Sequence, residues 1–203
     1  MGMLAPILDF LFPPKDTARI VARTNEIEFG RLLAPTVLAS GAVGLLPYRH
    51  SLVRAAIIEA KFHRNPKALS LLATVLKDYL DAYALDVDAF EPVSVTLIPI
   101  PLSAQRRRER GYNQVEEIAK RGCISYDGKI LARVRDTTQQ TSLPRKARLE
   151  NMTGAFAAVD SIESNRTYII LDDVHTTGAT LESARAALIE RGSTRVELLS
   201  LAH

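Results

Sequence analysis

The sequence is poor in cysteine, with a single thiol, Cys123, in 203 residues. A lone cysteine excludes an internal disulfide framework and a cysteine-based zinc site. No motif surrounds Cys123, so we expect a structural or incidental thiol. The four histidines are scattered at positions 50, 63, 175 and 203, and we therefore expect no bound zinc.

Long apolar runs are also missing. The segment Leu32–Leu46 is apolar, but it is short and is interrupted by Pro35, Gly41 and Gly44. We therefore expect no membrane span. The start of the chain has no basic segment before its apolar residues, and Lys15 follows them, so a signal peptide is not expected. A cytoplasmic location follows as an expectation.

Charge is modest overall but uneven along the chain. The formal net charge is +3, which by itself demands no nucleic acid partner. Residues 99–150, however, hold 12 Lys or Arg against 6 Asp or Glu, a local excess of +6. This concentration of basic groups predicts a local anionic ligand.

The length of 203 residues allows one domain with a full core and a small appendage, and the pattern of apolar residues predicts both helices and strands. Ser51 is the expected N-cap of the first clear helix, and Gly192 is expected to end the last one. The expected helices are 52–62, 66 to about 84, 113–121 and 181–190, and the expected strands are 93–98, 129–134, 154–159, 168–171 and 195–201.

The stretch 168–181 carries the most chemical information. An apolar strand ends at Asp172 and Asp173, and the small, hydroxyl-rich segment 176–180 leads into a helix. Backbone N–H groups at a helix start suit a phosphate, whereas adjacent carboxylates can accept hydrogen bonds from sugar hydroxyls. Together they predict a ribose-5-phosphate site; the alternative is an ordinary turn with Thr caps.

This stretch resembles the phosphoribosyl pyrophosphate (PRPP) motif of type I phosphoribosyltransferases. The resemblance implies that Asp172 and Asp173 bind the ribose hydroxyls. It assigns the 5′-phosphate to the loop residues Val174, His175, Thr176, Thr177, Gly178, Ala179 and Thr180. His175 departs from the motif, which usually has an apolar or aromatic residue there. Some members carry an acidic base where this chain has Thr176, so no general base is assigned.

Two basic segments are candidates for binding pyrophosphate. The segment 103–114 follows a strand, is rich in arginine and is expected to be a loop, with Gly111 permitting close backbone approach. The polar segment 135–151 is long enough to be a lid or binding loop. The alternative for 103–114 is a solvated basic loop, or a loop that faces nucleic acid. The candidate residues are Arg108, Arg110, Gly111, Arg135, Arg145 and Arg148.

Residues 48–203 as a whole resemble the ComF family of phosphoribosyltransferase-like competence proteins. The resemblance rests on the PRPP motif, on Ile98–Pro101 with Arg108–Gln114, and on Arg135–Thr137 with Gln140, Leu143, Arg145, Arg148 and Asn151. It implies an open, mainly parallel sheet flanked by helices, with PRPP as ligand and Mg²⁺ held mainly by PRPP. The zinc-binding cysteines that should follow the family's N-terminal run are absent, so residues 1–47 are expected to form an appendage or hood before the domain at 48–203.

Three functions stay open at this stage. The first is an enzyme that transfers phosphoribosyl from PRPP to a nitrogen acceptor with release of pyrophosphate. The second is a module that binds PRPP or a nucleotide without turnover. The third is an accessory protein for DNA uptake that contacts single-stranded DNA or competence proteins, with Tyr112 as the main stacking candidate of the basic segment. The sequence does not identify the acceptor, and it is compatible with a homodimer.

Overall fold

The computed structural model describes residues 14–88, 94–135, 152–158 and 162–203. The helices are α1 (Pro14–Arg23), α2 (Glu26–Gly30), α3 (Ser51–Phe62), α4 (Pro66–Asp88), α5 (Ala104–Arg110), α6 (Gln114–Arg121) and α7 (Ala179–Glu190). The strands are β1 (Thr36–Val37), β2 (Val43–Leu46), β3 (Val95–Pro99), β4 (Leu131–Arg133), β5 (Phe156–Ala158), β6 (Thr167–Val174) and β7 (Arg195–Ala202). No described helix is both long and apolar enough to cross a membrane.

A five-stranded sheet organises the molecule, in the order β1-β2-β7-β6-β3. The pairs β2–β7, β7–β6 and β6–β3 are parallel, and only the edge strand β1 is antiparallel to its neighbour. β4 and β5 form a separate antiparallel pair. This architecture confirms the expected α/β fold with an open, mainly parallel sheet.

Helices cover both faces of the sheet, as a mainly parallel sheet requires. Along β6, Ile169 and Leu171 pack into one apolar cluster with α3, α4 and α6, whereas Tyr168 and Ile170 pack into another with α7 and the β4–β5 pair. Successive side chains of a strand point to opposite faces. The two residues that follow Leu171 are therefore directed to different sides of the sheet.

The described part of the predicted appendage at 1–47 contacts the predicted domain at 48–203. β2 lies inside the stretch assigned to the appendage, yet it pairs with β7 through Val43–Leu199 and Leu46–Ala202. α1 also packs on the body, where Thr17 Oγ1 donates to Glu59 Oε1 over 2.6 Å. The described part of residues 1–47 thus belongs to the same body as the rest of the sheet.

Two local predictions were wrong. Residues 104–110, expected as a loop, form α5, which begins after the N-cap Ser103 and ends at Gly111 with φ +75°. Ser51 is not the N-cap of α3, because His50 precedes the helix and its ring nitrogen accepts from Leu52 N over 3.3 Å. Gly192, in contrast, has the positive φ of +96° expected of a residue that ends a helix.

Candidate functional site

The site lies at the carboxyl ends of β3 and β6, where open α/β sheets bind their ligands. β6 leads through the turn at 175–178 into α7, whose N-cap is Gly178 with φ +81°. Gly178 has no side chain to cap the helix. The first turn of α7 therefore presents its backbone N–H groups and the positive end of the helix dipole at the loop.

A shallow depression brings most of the predicted phosphate-loop residues together. Its described lining consists of Asp172, Val174, His175, Thr176, Gly178, Ala179, Thr180 and Leu181. Thr177 is not part of this lining, and its hydroxyl lies 3.5 Å from the N atom of Ala179. The depression combines one carboxylate, hydroxyls and a helix N-terminus, which is the combination expected for a sugar phosphate.

Asp173 does not line the depression. It is 6% exposed, and its two carboxylate oxygens are held by other parts of the chain. Oδ2 forms an ion pair with Lys61 Nζ at 2.6 Å and accepts from Gln114 Nε2 at 2.7 Å. Oδ1 accepts from Val174 N at 2.8 Å. The expectation that both carboxylates are open to solvent is therefore wrong for Asp173.

Burial and neighbouring charge move the pKa values of the two acids in opposite directions. Burial, together with the negative charge of Asp173, raises the pKa of Asp172 to about 7. Burial also acts to raise the pKa of Asp173, but the Lys61 ammonium and the nearby Arg110 outweigh it, and the net shift is downward. Asp173 is therefore the preferred location of the negative charge.

Of the predicted arginines within the described residues, Arg110 is the one that contacts a partner of the acids. Its Nη1 donates to Gln114 Oε1 over 2.9 Å, and its guanidinium lies 5.2 Å from the ring centre of Phe62. Burial lowers the pKa of Arg110, although Asp173 opposes this shift. Arg110 and Asp173 are thus joined through Gln114.

The other predicted pyrophosphate residues have different surroundings. Arg108 is exposed on α5, and Gly111 is the left-handed residue that ends this helix. Arg135 lies just beyond β4, and its guanidinium donates to the carbonyl of Thr153 over 2.6 Å. Arg145 and Arg148 lie outside the described residues.

Lys61 is a site residue that the sequence analysis did not identify. In the sequence, Lys61 stands with His63 and Arg64 between two predicted helices, a pattern typical of a solvated corner. A signal was present, however, because Lys61 continues the buried i, i+4 stripe of Val53 and Ile57 on α3. A cation on the buried face of a helix needs an anionic partner, and Asp173 provides it.

Ser40 is a second site residue that no sequence pattern indicates. It lies in the tight turn between β1 and β2, where Gly41 N donates to Leu38 O over 2.8 Å. Ser40 Oγ shares a 2.8 Å hydrogen bond with His175 Nε2. A Cβ atom added at Gly178 would lie 2.9 Å from Ser40 Cβ. The β1–β2 turn therefore packs directly against the phosphate loop.

His175 is partly buried in this contact. Its backbone N donates to the carbonyl of Ala202 over 2.8 Å, which extends the pairing of β6 with β7. Burial, with a smaller contribution from His203, lowers the pKa of His175. The imidazole is therefore neutral near pH 7 and serves as a hydrogen-bonding partner of Ser40.

Tyr112 is held within the protein. Its hydroxyl donates to Ala60 O over 2.8 Å and accepts from Arg64 N over 3.0 Å, and the Arg64 guanidinium lies 5.3 Å from its ring centre. The ring is half-buried in this arrangement. These contacts give Tyr112 a structural role and weaken its candidacy as a base-stacking platform.

No family model matches the chain. It is 34% identical over 112 residues to Competence protein F of Haemophilus influenzae, covering 52% of this chain and 49% of that protein. It is 33% identical over 99 residues to Competence protein ComFC of Bacillus subtilis, covering 47% and 39%. Identity to DNA utilization protein YhgH of Salmonella typhi is 29% over 115 residues, covering 54% and 50%. The chain thus spans about half the length of these relatives or less.

Among solved structures, a hypoxanthine phosphoribosyltransferase from Staphylococcus aureus matches at 17% identity and a TM-score of 0.36. This match covers 65% of this chain and 61% of that chain. The curated relatives, in contrast, confirm the resemblance that the sequence motifs predicted. The chain is similar to competence proteins of the ComF type over about half of its length.

Proposed function

We propose that this protein binds PRPP and transfers its phosphoribosyl group to a nitrogen acceptor. The observation that carries the proposal is the depression formed by Asp172, the small loop residues and the N-terminus of α7. A carboxylate suits ribose hydroxyls, whereas backbone N–H groups suit the 5′-phosphate. An ordinary βα turn does not require a carboxylate beside the backbone N–H groups of the helix start.

The proposed reaction is a displacement at C1 of the ribose. The acceptor nitrogen forms a bond to C1 while the bond from C1 to the pyrophosphate oxygen breaks, and pyrophosphate leaves with the electron pair. Asp172 would orient the sugar, and Arg106 and Arg110 on α5 would stabilise the departing charge. Arg106 acts electrostatically on Asp172 and Arg110 on Asp173, which supports a role for α5 beside the proposed ribose site.

Mg²⁺ would be carried mainly by the oxygens of PRPP. Among the described residues, no group of three or more His, Cys, Asp or Glu side chains could hold a metal ion. When bound, Mg²⁺ would neutralise part of the diphosphate charge.

The direct test combines a binding and a turnover measurement. We expect millimolar PRPP with Mg²⁺ to raise the melting temperature, because a ligand that binds only the folded state stabilises it. Ribose 5-phosphate should give a smaller rise, because it lacks the diphosphate. Release of pyrophosphate in the presence of a panel of nucleobases would identify the acceptor. Absence of any shift with PRPP in folded protein would refute the ribose-phosphate assignment.

A role in DNA uptake is the second candidate, and the competence and DNA utilization relatives favour it. The exposed arginines Arg106, Arg107 and Arg108 on α5 are its structural support. Contacts to phosphates release counterions, so affinity for a labelled oligothymidine should fall steeply with salt. Replacing these three arginines by Gln should flatten that dependence. Salt-independent or undetectable binding would exclude this candidate.

A further inference from the structure

The two adjacent acids of the site have different surroundings. Asp172 lines the depression beside α7, whereas Asp173 points to the opposite face of the sheet, towards α3 and α6. This separation follows from the alternation of side chains along β6. A pair that looks equivalent in sequence is therefore not equivalent in space.

The hydrogen bonds of the two carboxylates make the difference sharper. Asp173 accepts from three groups, one on Oδ1 and two on Oδ2. Asp172 accepts on Oδ1 from the N atom of Asp173 over 2.8 Å. Within the described residues, Oδ2 of Asp172 has no donor. Asp172 therefore has an acceptor available for a ligand, and Asp173 is already engaged.

Lys61 holds the Asp173 carboxylate on its side of the sheet. The Lys61 side chain is 22% exposed, and its ammonium reaches Asp173 from the last turn of α3. Gln114 at the start of α6 contacts the same oxygen. Through Asp173, these contacts connect the end of β6 to α3 and α6, which lie on the same face of the sheet. The position of the Asp173 carboxylate is thereby fixed before any ligand binds.

We propose that Lys61 is a positioning residue that holds Asp173 as an internal counter-ion, so that Asp172 is the carboxylate offered to the sugar hydroxyls. The inference rests on the proposed function for the identity of the ligand. The pairing itself is a property of the ligand-free protein and can be tested without one.

Electrostatics supports the same assignment of different roles to Asp172 and Asp173. Removing Lys61 takes away the cation closest to two adjacent carboxylates, and like charges then disfavour double ionisation more strongly. The pH at which Asp172 releases its proton should therefore rise. The charged and titratable groups that face the pair are Lys61 on α3, Arg106 and Arg110 on α5, and Tyr48 before α3.

The experiment compares Lys61→Gln and Lys61→Arg with the surface control Lys77→Gln on α4. Carboxyl-carbon NMR of the ligand-free protein follows the titration of Asp172. We expect Lys61→Gln to raise its midpoint by roughly 0.5–1 pH unit, Lys61→Arg to restore most of the wild-type midpoint, and Lys77→Gln to leave it unchanged. A merely structural lysine would lower stability without moving this midpoint, and that outcome would overturn the proposal.

The second arm compares the acids by PRPP affinity at pH 8. Asp172→Asn should weaken PRPP binding at least ~10-fold, because a hydrogen bond to a charged acceptor is lost. Asp173→Asn should lower the melting temperature and weaken binding less. Equal loss of affinity in both variants, with stability unchanged, would contradict the division. If wild-type protein does not bind PRPP, the proposed function fails, while the NMR titration still decides the role of Lys61.

Discussion

At the scale of single residues, the ionisation of Asp172 links the site to stability. Its pKa is about 7 in the folded protein against an ordinary value of 3.8. Between these values the folded state keeps a proton that the unfolded chain releases, so the free energy of unfolding falls as pH rises from about 4 to about 7. Above pH 7 the Asp172 carboxyl is ionised in both states, and the unfolding free energy stays lowered by a constant amount.

Replacing Asp172 by Asn removes this cost. We expect the Asp172→Asn variant to gain about 1–3 kcal/mol of unfolding free energy relative to wild type at pH 8, and close to nothing at pH 4. Urea unfolding of both proteins across this range measures the difference. The exposed Asp78 on α4 provides the control, since Asp78→Asn should give a difference that does not vary with pH. A pH-independent gain for Asp172→Asn would show that its carboxyl is not perturbed.

Gly178 is a residue whose replacement should lower the stability of the protein. Its φ of +81° is unfavourable for any side chain, and a Cβ atom there would also lie 2.9 Å from Ser40 Cβ and 3.0 Å from His175 Nε2. Gly192 has a similar φ of +96°, but no atom lies within 4 Å of an added Cβ. The two glycines therefore separate backbone strain from steric contact.

We expect Gly192→Ala to cost about 1 kcal/mol through backbone strain alone. Gly178→Ala should cost about 1–3 kcal/mol more, because the phosphate loop and the β1–β2 turn must separate. Thermal unfolding of the two variants measures the difference. Equal losses would mean that the turn yields freely and that its contact with the loop has little energetic weight.

At the scale of elements, the strands and long helices were predictable because their apolar residues are periodic. β6, α3, α4 and α7 all appear within a few residues of their predicted positions. α5 was missed because its sequence, AQRRRER, has no apolar period and none of its residues is buried. The sequence features that indicate this helix are its capping residues, because Ser103 precedes it and Gly111 follows it.

We therefore expect the N-cap Ser103 to contribute to the stability of α5. Ser103 Oγ accepts from Arg106 N over 3.2 Å, and Ser103→Ala should cost about 0.5–2 kcal/mol. Ser51→Ala is the matched control, because Ser51 is exposed and His50 holds the cap position of α3. Its unfolding free energy should stay within about 0.5 kcal/mol of wild type. Chemical denaturation compares the two, and a larger loss for Ser51→Ala would reverse the assignment of the caps.

The candidate site was only partly predictable at the same scale. The motif predicts Asp172 and the small residues of the loop, which are adjacent in sequence and line one depression in the structure. The partners of Asp173 come from α3 and α6, and Ser40 comes from the β1–β2 turn. Such contacts depend on how distant elements pack, which local patterns do not specify.

At the scale of the whole molecule, α1 is fastened to the body through a buried carboxylate. Glu59 is 2% exposed and accepts from Thr17 Oγ1 over 2.6 Å and from Asn65 Nδ2 over 2.9 Å. Thr17→Val keeps the shape of the side chain but removes one donor to a buried acceptor. We expect a loss of about 1–3 kcal/mol in unfolding free energy.

Thr36→Val is the control for this change. Thr36 is exposed on β1, and its hydroxyl donates to Ala34 O at the surface, so its replacement should change the unfolding free energy by less than about 0.5 kcal/mol. Urea denaturation of both variants makes the comparison. If the two losses are equal, α1 contributes no more to the stability of the body than an exposed turn does.

The central position of β7 has a consequence for how the chain folds. β7 lies between β2 and β6, so the two halves of the sheet stay apart until this strand pairs with both. The contact between Ser40 and His175 spans 135 residues, and the contact between Gln114 and Asp173 spans 59. Closing such long loops costs entropy before the contacts stabilise anything, which slows folding. Helices α3 and α4 are neighbours in sequence and can pair early, whereas the acid pair and the phosphate loop take shape among the last parts of the molecule. Until then the apolar strand 168–171 is uncovered, and partly folded chains are most prone to aggregate through it.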